Sequence, residues 1–191
     1  CTNAGYAGCI IFTSRIIENG EDKGIGALFV DAGTKGLSLS EPEKKMGWKA
    51  SDTRSVYFDQ MRIPKENILG NIGTGFKQFL KTLTIGRITI SALALGTASG
   101  AYELALKYSQ ERTAFGKKIS SFQGISFKLA DMATQIDAAR LMVYKAAWTK
   151  EQHYHADGPR HSKEASMAKL FAGDTAMWVS ERAIQVLGGY G

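Results

Sequence analysis

The chain has 191 residues, with 24 Lys and Arg against 18 Asp and Glu, a formal net charge of +6. Its 44% hydrophobic and 22% charged residues are typical of an ordinary globular protein and exclude a disordered or fibrous chain. No apolar run approaches the roughly 20 residues that cross a bilayer, so we expect no membrane span. Cys1 and Cys9 have no metal-binding spacing and are predicted to be reduced thiols.

Residues 1–68 are predicted to form part of an antiparallel β domain. Nine Lys and Arg balance nine Asp and Glu there, so the whole excess of positive charge lies in residues 69–191. Short apolar, β-branched runs predict strands. These runs are 9–13, 25–30, 37–39, 55–58 and 61–63, with turn-forming residues at 18–24, 31–36 and 51–52. So few strands would leave sheet edges unpaired. Together with the first residue, a Cys, and the final Gly-Gly-Tyr-Gly, this predicts a piece of a longer chain.

Residues 69–191 are predicted to form three long helices of an up-and-down bundle, which makes the fold class α+β. Proline is absent from 65–158, and this permits long helices. We expect helices over 74–110 and 162–187, the latter ending at Gly188-Gly189. The middle helix, with Ser120 or Ser121 as N-cap, has an apolar seam in steps of three and four residues. The seam is Phe122, Ile125, Leu129, Met132, Ile136, Ala139, Val143 and Ala146. Short links predict antiparallel neighbours.

Two segments could bind phosphate, and each has a simpler structural interpretation. The glycine-rich segment 70–75 opens a helix but lacks the Lys-Ser/Thr of a phosphate-binding loop, so a flexible lead into the helix is favoured. Segment 111–118 carries three cations and an aromatic residue, and Arg112 could grip a phosphate with its guanidinium fork. A basic helix end that is stabilised by the helix dipole explains the same residues.

Metal and nucleic acid are not expected ligands. His153, His155 and His161 lie beside a Gly-Pro turn, with no cysteine or clustered carboxylate near them, so we predict no metal site. The basic residues are interleaved with apolar helix seams and do not form a dedicated stripe, which argues against nucleic-acid binding.

Each motif is weak evidence for a family by itself, but their order along the chain is specific for one family. Glu111-Arg112-x-x-Phe115-Gly116-Lys117-x-Ile119-x-x-Phe122-Gln123 resembles the flavin-contacting segment of acyl-CoA dehydrogenases. Further motifs of that family stand at 46–48, 51–54, 56–59, 63–70, 73–76, 128–132, 168–169 and 185–191. The resemblance covers essentially the whole chain and is closest to the short-chain branch.

The resemblance implies an N-terminal helical domain, a middle β domain, a C-terminal four-helix bundle, bound FAD and a homotetramer in the whole protein. Residues 1–68 match the later part of the β domain, and residues 69–191 match the first three bundle helices. It also implies the FAD contacts Thr2, Arg112, Phe115, Gln123, Gln185, Gly188 and Gly189. Thr2 matches the threonine of a Trp-x-Thr segment at the isoalloxazine, and Arg112 matches an arginine that reaches the diphosphate of a neighbouring subunit's FAD.

The implied reaction is α,β-dehydrogenation of an acyl-CoA thioester, in which a glutamate removes the α-proton while the β-hydrogen leaves as hydride. Leu83, Thr84, Gly86 and Arg87 match the thioester channel, although relatives often carry Asp at the position of Thr84. The base of most members lies in a Tyr-Glu-Gly-Thr segment, expected beyond Gly191. One branch places it at the position of Gly86, where glycine cannot serve. We therefore expect these residues alone to be inactive.

Three further expectations follow from the resemblance. Electron-transfer flavoprotein is the expected electron acceptor. The expected location is the mitochondrial matrix in a eukaryote and the cytoplasm in a bacterium. A non-catalytic flavin- or CoA-binding paralogue, a helical scaffold module, and an acyl-carrier or glutaryl-type dehydrogenase remain alternatives.

Overall fold

The chain divides into two units, Cys1–Leu80 and Lys81–Gly191, in a computed structural model that describes residues 1–152 and 162–191. The predicted domain boundary after residue 68 stays a prediction. His153, His155 and His161, and with them the interpretation of this segment as a loop without metal, lie outside the described residues.

A long β-hairpin is the centre of the first unit. Strands β1 (Cys9–Glu18) and β2 (Glu21–Asp31) pair antiparallel. They meet at Asn19-Gly20, where φ is 53° and 80°, the positive values that a type I′ turn requires. The turn therefore lies within the turn-forming residues predicted at 18–24, but it needs only two of them, and residues 21–24 belong to β2.

Two short pairings complete the β structure described in the first unit. β5 (Ile68–Leu69) pairs with β2, so β2 is the central strand of a sheet ordered β1-β2-β5. β3 (Leu37–Leu39) pairs antiparallel with β4 (Val56–Phe58). Residues 61–63 are not a strand, contrary to the prediction. Gln60, with φ of 43°, turns the chain out of the extended conformation directly after β4.

Helix α1 (Gly75–Glu111) starts against the main sheet of the first unit. A Cβ at Gly75 would lie 2.4 Å from the amide nitrogen of Ala27 in β2, so only glycine permits this approach. Gln78 Nε2 donates to the Leu69 carbonyl at 3.0 Å, which ties the first turn to β5. These contacts support the structural interpretation of the segment 70–75 over a phosphate site.

The second unit is built on the predicted seam. Helices α2 (Gln123–Gln152) and α3 (Ser162–Leu187) pack through buried residues, and the predicted bounds of α3 are confirmed. The small side chains of α3 allow close helix approach. Ile88, Leu95, Ala98 and Ala105 of α1 share this core. The buried residues of α2 are Leu129, Met132, Ile136, Ala139, Val143 and Ala146, all from the predicted seam.

The predicted N-cap of α2 is wrong. Residues Ile119–Ser121 form a 3-10 turn, and the Ser121 hydroxyl donates backwards to the Lys118 carbonyl at 2.6 Å. The Phe122 carbonyl instead accepts the first amides of α2, from Ile125 and Ser126, both at 2.9 Å. Phe122, directly before the helix, therefore occupies the N-cap position, one residue after Ser121.

Helix α1 is long and apolar enough to cross a membrane by length and composition alone. Polar residues interrupt its Leu, Ile and Ala, so the helix has no unbroken apolar run of about 20 residues, and the expectation of no membrane span stays a prediction. The core helices of soluble proteins meet the same criterion, so the length and composition of α1 are weak evidence for a membrane span.

Candidate functional site

The ends of α1 and α3 meet around an open pocket in the second unit. Its volume is about 340 Å³. It is lined by Tyr108, Arg112, Ile119, Val186, Leu187, Gly188, Gly189 and Tyr190. Three of the seven predicted FAD contacts, Arg112, Gly188 and Gly189, therefore line one pocket. Arg112 and the two glycines are more than 70 positions apart in the chain.

The main chain of Arg112 is held on both sides while its side chain is exposed. Its N–H donates to the Tyr108 carbonyl at 2.8 Å, and its carbonyl accepts the Ile119 N–H at 3.0 Å. The guanidinium carbon lies 6.0 Å from the centre of the Tyr190 ring, which is itself 6.5 Å from the Tyr108 ring. No carboxylate of the described residues pairs with this guanidinium, so it is a positioned cation available to an anion.

A small hairpin after α1 carries the second predicted contact. β6 (Thr113–Ala114) and β7 (Lys117–Lys118) are joined by Phe115 and Gly116, both at positive φ. Phe115 is 96% exposed, and its ring stands perpendicular to that of Phe122 at 6.3 Å. The two positive φ values match those of a type I′ turn, and this turn presents the Phe115 ring to solvent.

For Lys118, the interpretation of segment 111–118 as a basic helix end applies. Its Nζ donates to the Glu111 carbonyl at 2.8 Å and so satisfies the C-terminal end of α1. Lys117 lies over the Phe122 ring at 4.4 Å. Two of the three cations therefore stabilise the helix end and hairpin, whereas Arg112 does not.

The remaining predicted contacts in this unit are not gathered into the pocket. Gln123 is the exposed first residue of α2, and Gln185 is exposed on α3 directly before the pocket residue Val186. Gly188, with φ of 61°, ends α3 in the left-handed conformation that glycine accommodates.

The predicted thioester residues lie elsewhere on α1. Thr84 is buried and Leu83 is exposed, and a Cβ added to Gly86 would meet no atom within 4 Å among the described residues. Arg87 Nη1 donates to Ser166 Oγ at 3.3 Å, which joins α1 to α3. At 1.5 Å per residue, Arg87 and Arg112 are about 37 Å apart along the helix, so they form two separate places.

Thr2 lies in the first unit, beside the segment 51–54. It forms an isolated antiparallel bridge with Thr53. The carboxylate of Asp52 accepts the Gly5 N–H and the Arg54 Nε–H, both at 2.9 Å. The Gly5 hydrogen bond, with a smaller contribution from Arg54, holds the pKa of Asp52 below its ordinary value against the opposing effect of desolvation.

Comparison with known proteins shows the family to which the chain belongs. The family description "Acyl-CoA dehydrogenase, C-terminal domain" matches residues 73–191. The chain belongs to the acyl-CoA dehydrogenase family. The probable acyl-CoA dehydrogenase YngJ of Bacillus subtilis is 47% identical over all 191 residues, which are 49% of its length.

Two solved structures of this family's fold are similar over 99% of the chain. Butyryl-CoA dehydrogenase of Megasphaera elsdenii is 43% identical with a TM-score of 0.90, and 48% of that chain is covered. A chain in a structure of the electron transferring flavoprotein of Acidaminococcus fermentans is also 43% identical, with a TM-score of 0.91 and 48% of that chain covered. The chain thus spans about half the length of the relatives it matches.

The residues at the helix ends fit FAD, the cofactor that the family resemblance implies. FAD presents a dianionic diphosphate and two aromatic ring systems. The Arg112 guanidinium, which no carboxylate in the described part of the chain neutralises, suits the diphosphate, and the exposed Phe115 ring suits an aromatic face.

Sequence reasoning missed two features of these sites. Tyr108 and Tyr190 line the pocket beside Arg112, yet the sequence suggests no role for either, although Tyr190 stands inside the quoted glycine motif. Asp52 enters the sequence argument only as one residue of the motif Ser-Asp-Thr-Arg, and its hydrogen bond to Gly5 joins residues 47 positions apart. Such a long-range contact leaves no periodic signal.

Proposed function

We propose that the whole protein is an FAD-dependent dehydrogenase that converts an acyl-CoA thioester to its trans-2-enoyl product. The observation that carries the proposal is Arg112, whose main chain is held by two hydrogen bonds and which lines the same pocket as Gly188, Gly189 and Tyr190. Its guanidinium pairs with no carboxylate among the described residues. Membership of the acyl-CoA dehydrogenase family supports the same conclusion.

Each predicted contact then has a defined task. When bound, the flavin supplies a hydride acceptor. Arg112 binds the diphosphate of a neighbouring subunit's FAD, and Phe115 contributes an exposed aromatic face there. Gln123, Gln185, Gly188 and Gly189 also contact FAD, and Thr2 contacts an isoalloxazine.

The thioester binds near the N-terminal part of α1 in this proposal. Arg87, held by Ser166, faces the channel together with Leu83, Thr84 and Gly86. The 43% identity to butyryl-CoA dehydrogenase supports a short acyl chain. Gly86 cannot act as a base because it has no titratable group. We place the base outside these 191 residues and propose that they are inactive alone.

The proposed partners come from the same comparisons. Electron-transfer flavoprotein is the proposed electron acceptor, which the similarity to a chain in a structure of that protein from Acidaminococcus fermentans supports. We further propose a homotetramer without nucleic acid or membrane span. The location in matrix or cytoplasm stays a prediction.

A visible spectrum and an anaerobic titration test the proposal. The whole protein should be yellow, and butyryl-CoA should bleach its flavin bands within seconds, whereas palmitoyl-CoA should do so more slowly. A yellow protein that no acyl-CoA, acyl-carrier thioester or glutaryl-CoA bleaches would instead be the non-catalytic paralogue. A protein that binds neither flavin nor CoA would be a helical scaffold.

A further inference from the structure

Residues 1–6 are held in place by a segment far away in the chain. Asn3, with φ of 57°, begins a turn that the Tyr6 N–H closes on the Asn3 carbonyl at 3.0 Å. Thr2, directly before this turn, bridges to Thr53. The Arg54 N–H donates to the Cys1 carbonyl at 3.1 Å on the other side of that bridge.

Asp52 contacts this turn at two points. Its main-chain carbonyl accepts the Asn3 N–H at 2.7 Å, and its carboxylate Oδ2 accepts the Gly5 N–H at 2.9 Å. The side chain of Asp52 is only 5% exposed. Because a charged acceptor makes stronger hydrogen bonds than a neutral one, this single side chain holds the far end of the turn.

The other carboxylate oxygen is anchored within the unit. Asp52 Oδ1 accepts the Arg54 Nε–H at 2.9 Å, and Arg54 Nη1 donates to the Ser40 carbonyl at 3.2 Å. A Cβ at Gly5 would lie 2.6 Å from Arg54 Nε, so the turn packs directly on the guanidinium. Lys45 Nζ also donates to Thr53 Oγ1 at 3.1 Å, which fixes the segment that Thr2 bridges.

We propose that Asp52 is a positioning residue for the flavin, acting through the turn that begins at Asn3 and thereby orienting Thr2. This inference rests on the proposed function, because the contact of Thr2 with the isoalloxazine is part of it. In Asp52→Asn the side chain loses its charge and keeps one acceptor oxygen, so the Gly5 N–H and the Arg54 guanidinium no longer share a carboxylate. The main-chain hydrogen bonds remain, but the far end of the turn is held less firmly, and the position of Thr2 is less defined.

Asp52→Asn in the whole protein tests the inference, with Asp22→Asn as the matched control. Asp22 also accepts a glycine N–H, from Gly24 at 2.8 Å, and also pairs with an arginine, Arg15. It lies on the β1–β2 hairpin, and neither of these contacts reaches the turn. The two substitutions therefore remove the same chemistry at two places.

Two readouts are needed. Hydrogen exchange of the amides of Asn3 and Gly5, measured without flavin, should be about tenfold faster in Asp52→Asn and unchanged in Asp22→Asn. Flavin affinity should fall about tenfold in Asp52→Asn alone, with a changed shape of the visible flavin bands and a shifted reduction potential. A residue that merely supported the fold would leave the band shape and the potential of the retained flavin unaltered.

The outcomes separate this inference from the proposed function. If Asp52→Asn and Asp22→Asn show the same amide exchange rates at Asn3 and Gly5 and the same flavin spectra, the inference is overturned and the dehydrogenase proposal is left intact. Faster exchange with unchanged affinity, spectrum and potential would overturn the role towards the flavin. A wild-type protein that binds no flavin would overturn both. If Asp52→Asn does not fold, Arg54→Lys, which removes the Nε–H donor, is judged by the same criteria.

Discussion

Replacing Arg112 with Gln removes the cation that the proposed function assigns to the diphosphate. The guanidinium is exposed and paired with no carboxylate in the described part of the chain, so its loss leaves no internal charge uncompensated. Its ring contact, 6.0 Å from Tyr190, is at the outer limit of a cation–π interaction. We therefore expect folding stability to change by less than about 0.5 kcal/mol, with the effect concentrated in flavin binding.

The size of that effect follows from the hydrogen bonds available. A hydrogen bond to a charged group contributes about 1.5 to 3 kcal/mol, and an open pocket favours the lower part of this range. A loss of about 2 kcal/mol corresponds to about 30-fold weaker flavin binding. Arg112→Lys keeps the charge but loses the planar guanidinium fork, so flavin binding is expected to be about fivefold weaker. Fluorescence titration of flavin into the whole apoprotein measures both.

Arg140→Gln is the control for this experiment. Arg140 is a helix-surface arginine that pairs with Asp137 of its own helix, so its loss should leave flavin affinity within about twofold. An Arg112→Gln protein that binds flavin as tightly as the wild type would refute the assignment of the pocket at the ends of α1 and α3.

Three other predictions concern stability. Met132→Ala should lower the free energy of unfolding by about 3 kcal/mol because Met132 is fully buried, whereas Met177→Ala, at a side chain 67% exposed, should change it by less than about 1 kcal/mol; urea denaturation compares them. Gly75→Ala should cost about 2 kcal/mol or more through its clash with the main chain of β2, and Gly96→Ala, with open space around it among the described residues, should raise the melting temperature slightly. The pKa of Asp52 is lowered on folding, so its contribution to stability is present above the ordinary value of 3.8 and is lost as the pH falls below it. Asp52→Asn should therefore flatten the profile of stability against pH on the acid side of 3.8, and an unchanged slope there would contradict this.

Much of the helical unit can be predicted from its sequence. The seam of α2 repeats in steps of three and four residues, and six of its eight members are buried along one face. The bounds of α3 follow from Gly188, whose positive φ ends the helix. Such features depend on residues within two helical turns of one another, so they can be predicted from the sequence.

The β unit is less predictable from its sequence, because single backbone angles decide its course. The length of β1 and β2 depends on a two-residue turn whose geometry Asn19 and Gly20 supply. The absence of a strand at 61–63 depends on a single left-handed residue, Gln60. A single backbone angle changes the direction of the whole following segment. The composition of a segment does not show which of its residues adopts that angle.

The sequence alone determined the family-specific motifs, the positive charge of the helical half and the identity of Arg112 as a candidate phosphate ligand. The tertiary structure decided where the single cations lie, because Lys118 donates to the C-terminal end of α1 and Arg87 donates to Ser166 of α3. It also left Arg112 without a carboxylate partner among the described residues, which no count of charges could show. Finally, it revealed Asp52 between Gly5 and Arg54, because hydrogen bonds between residues 47 positions apart exist only after the chain has folded.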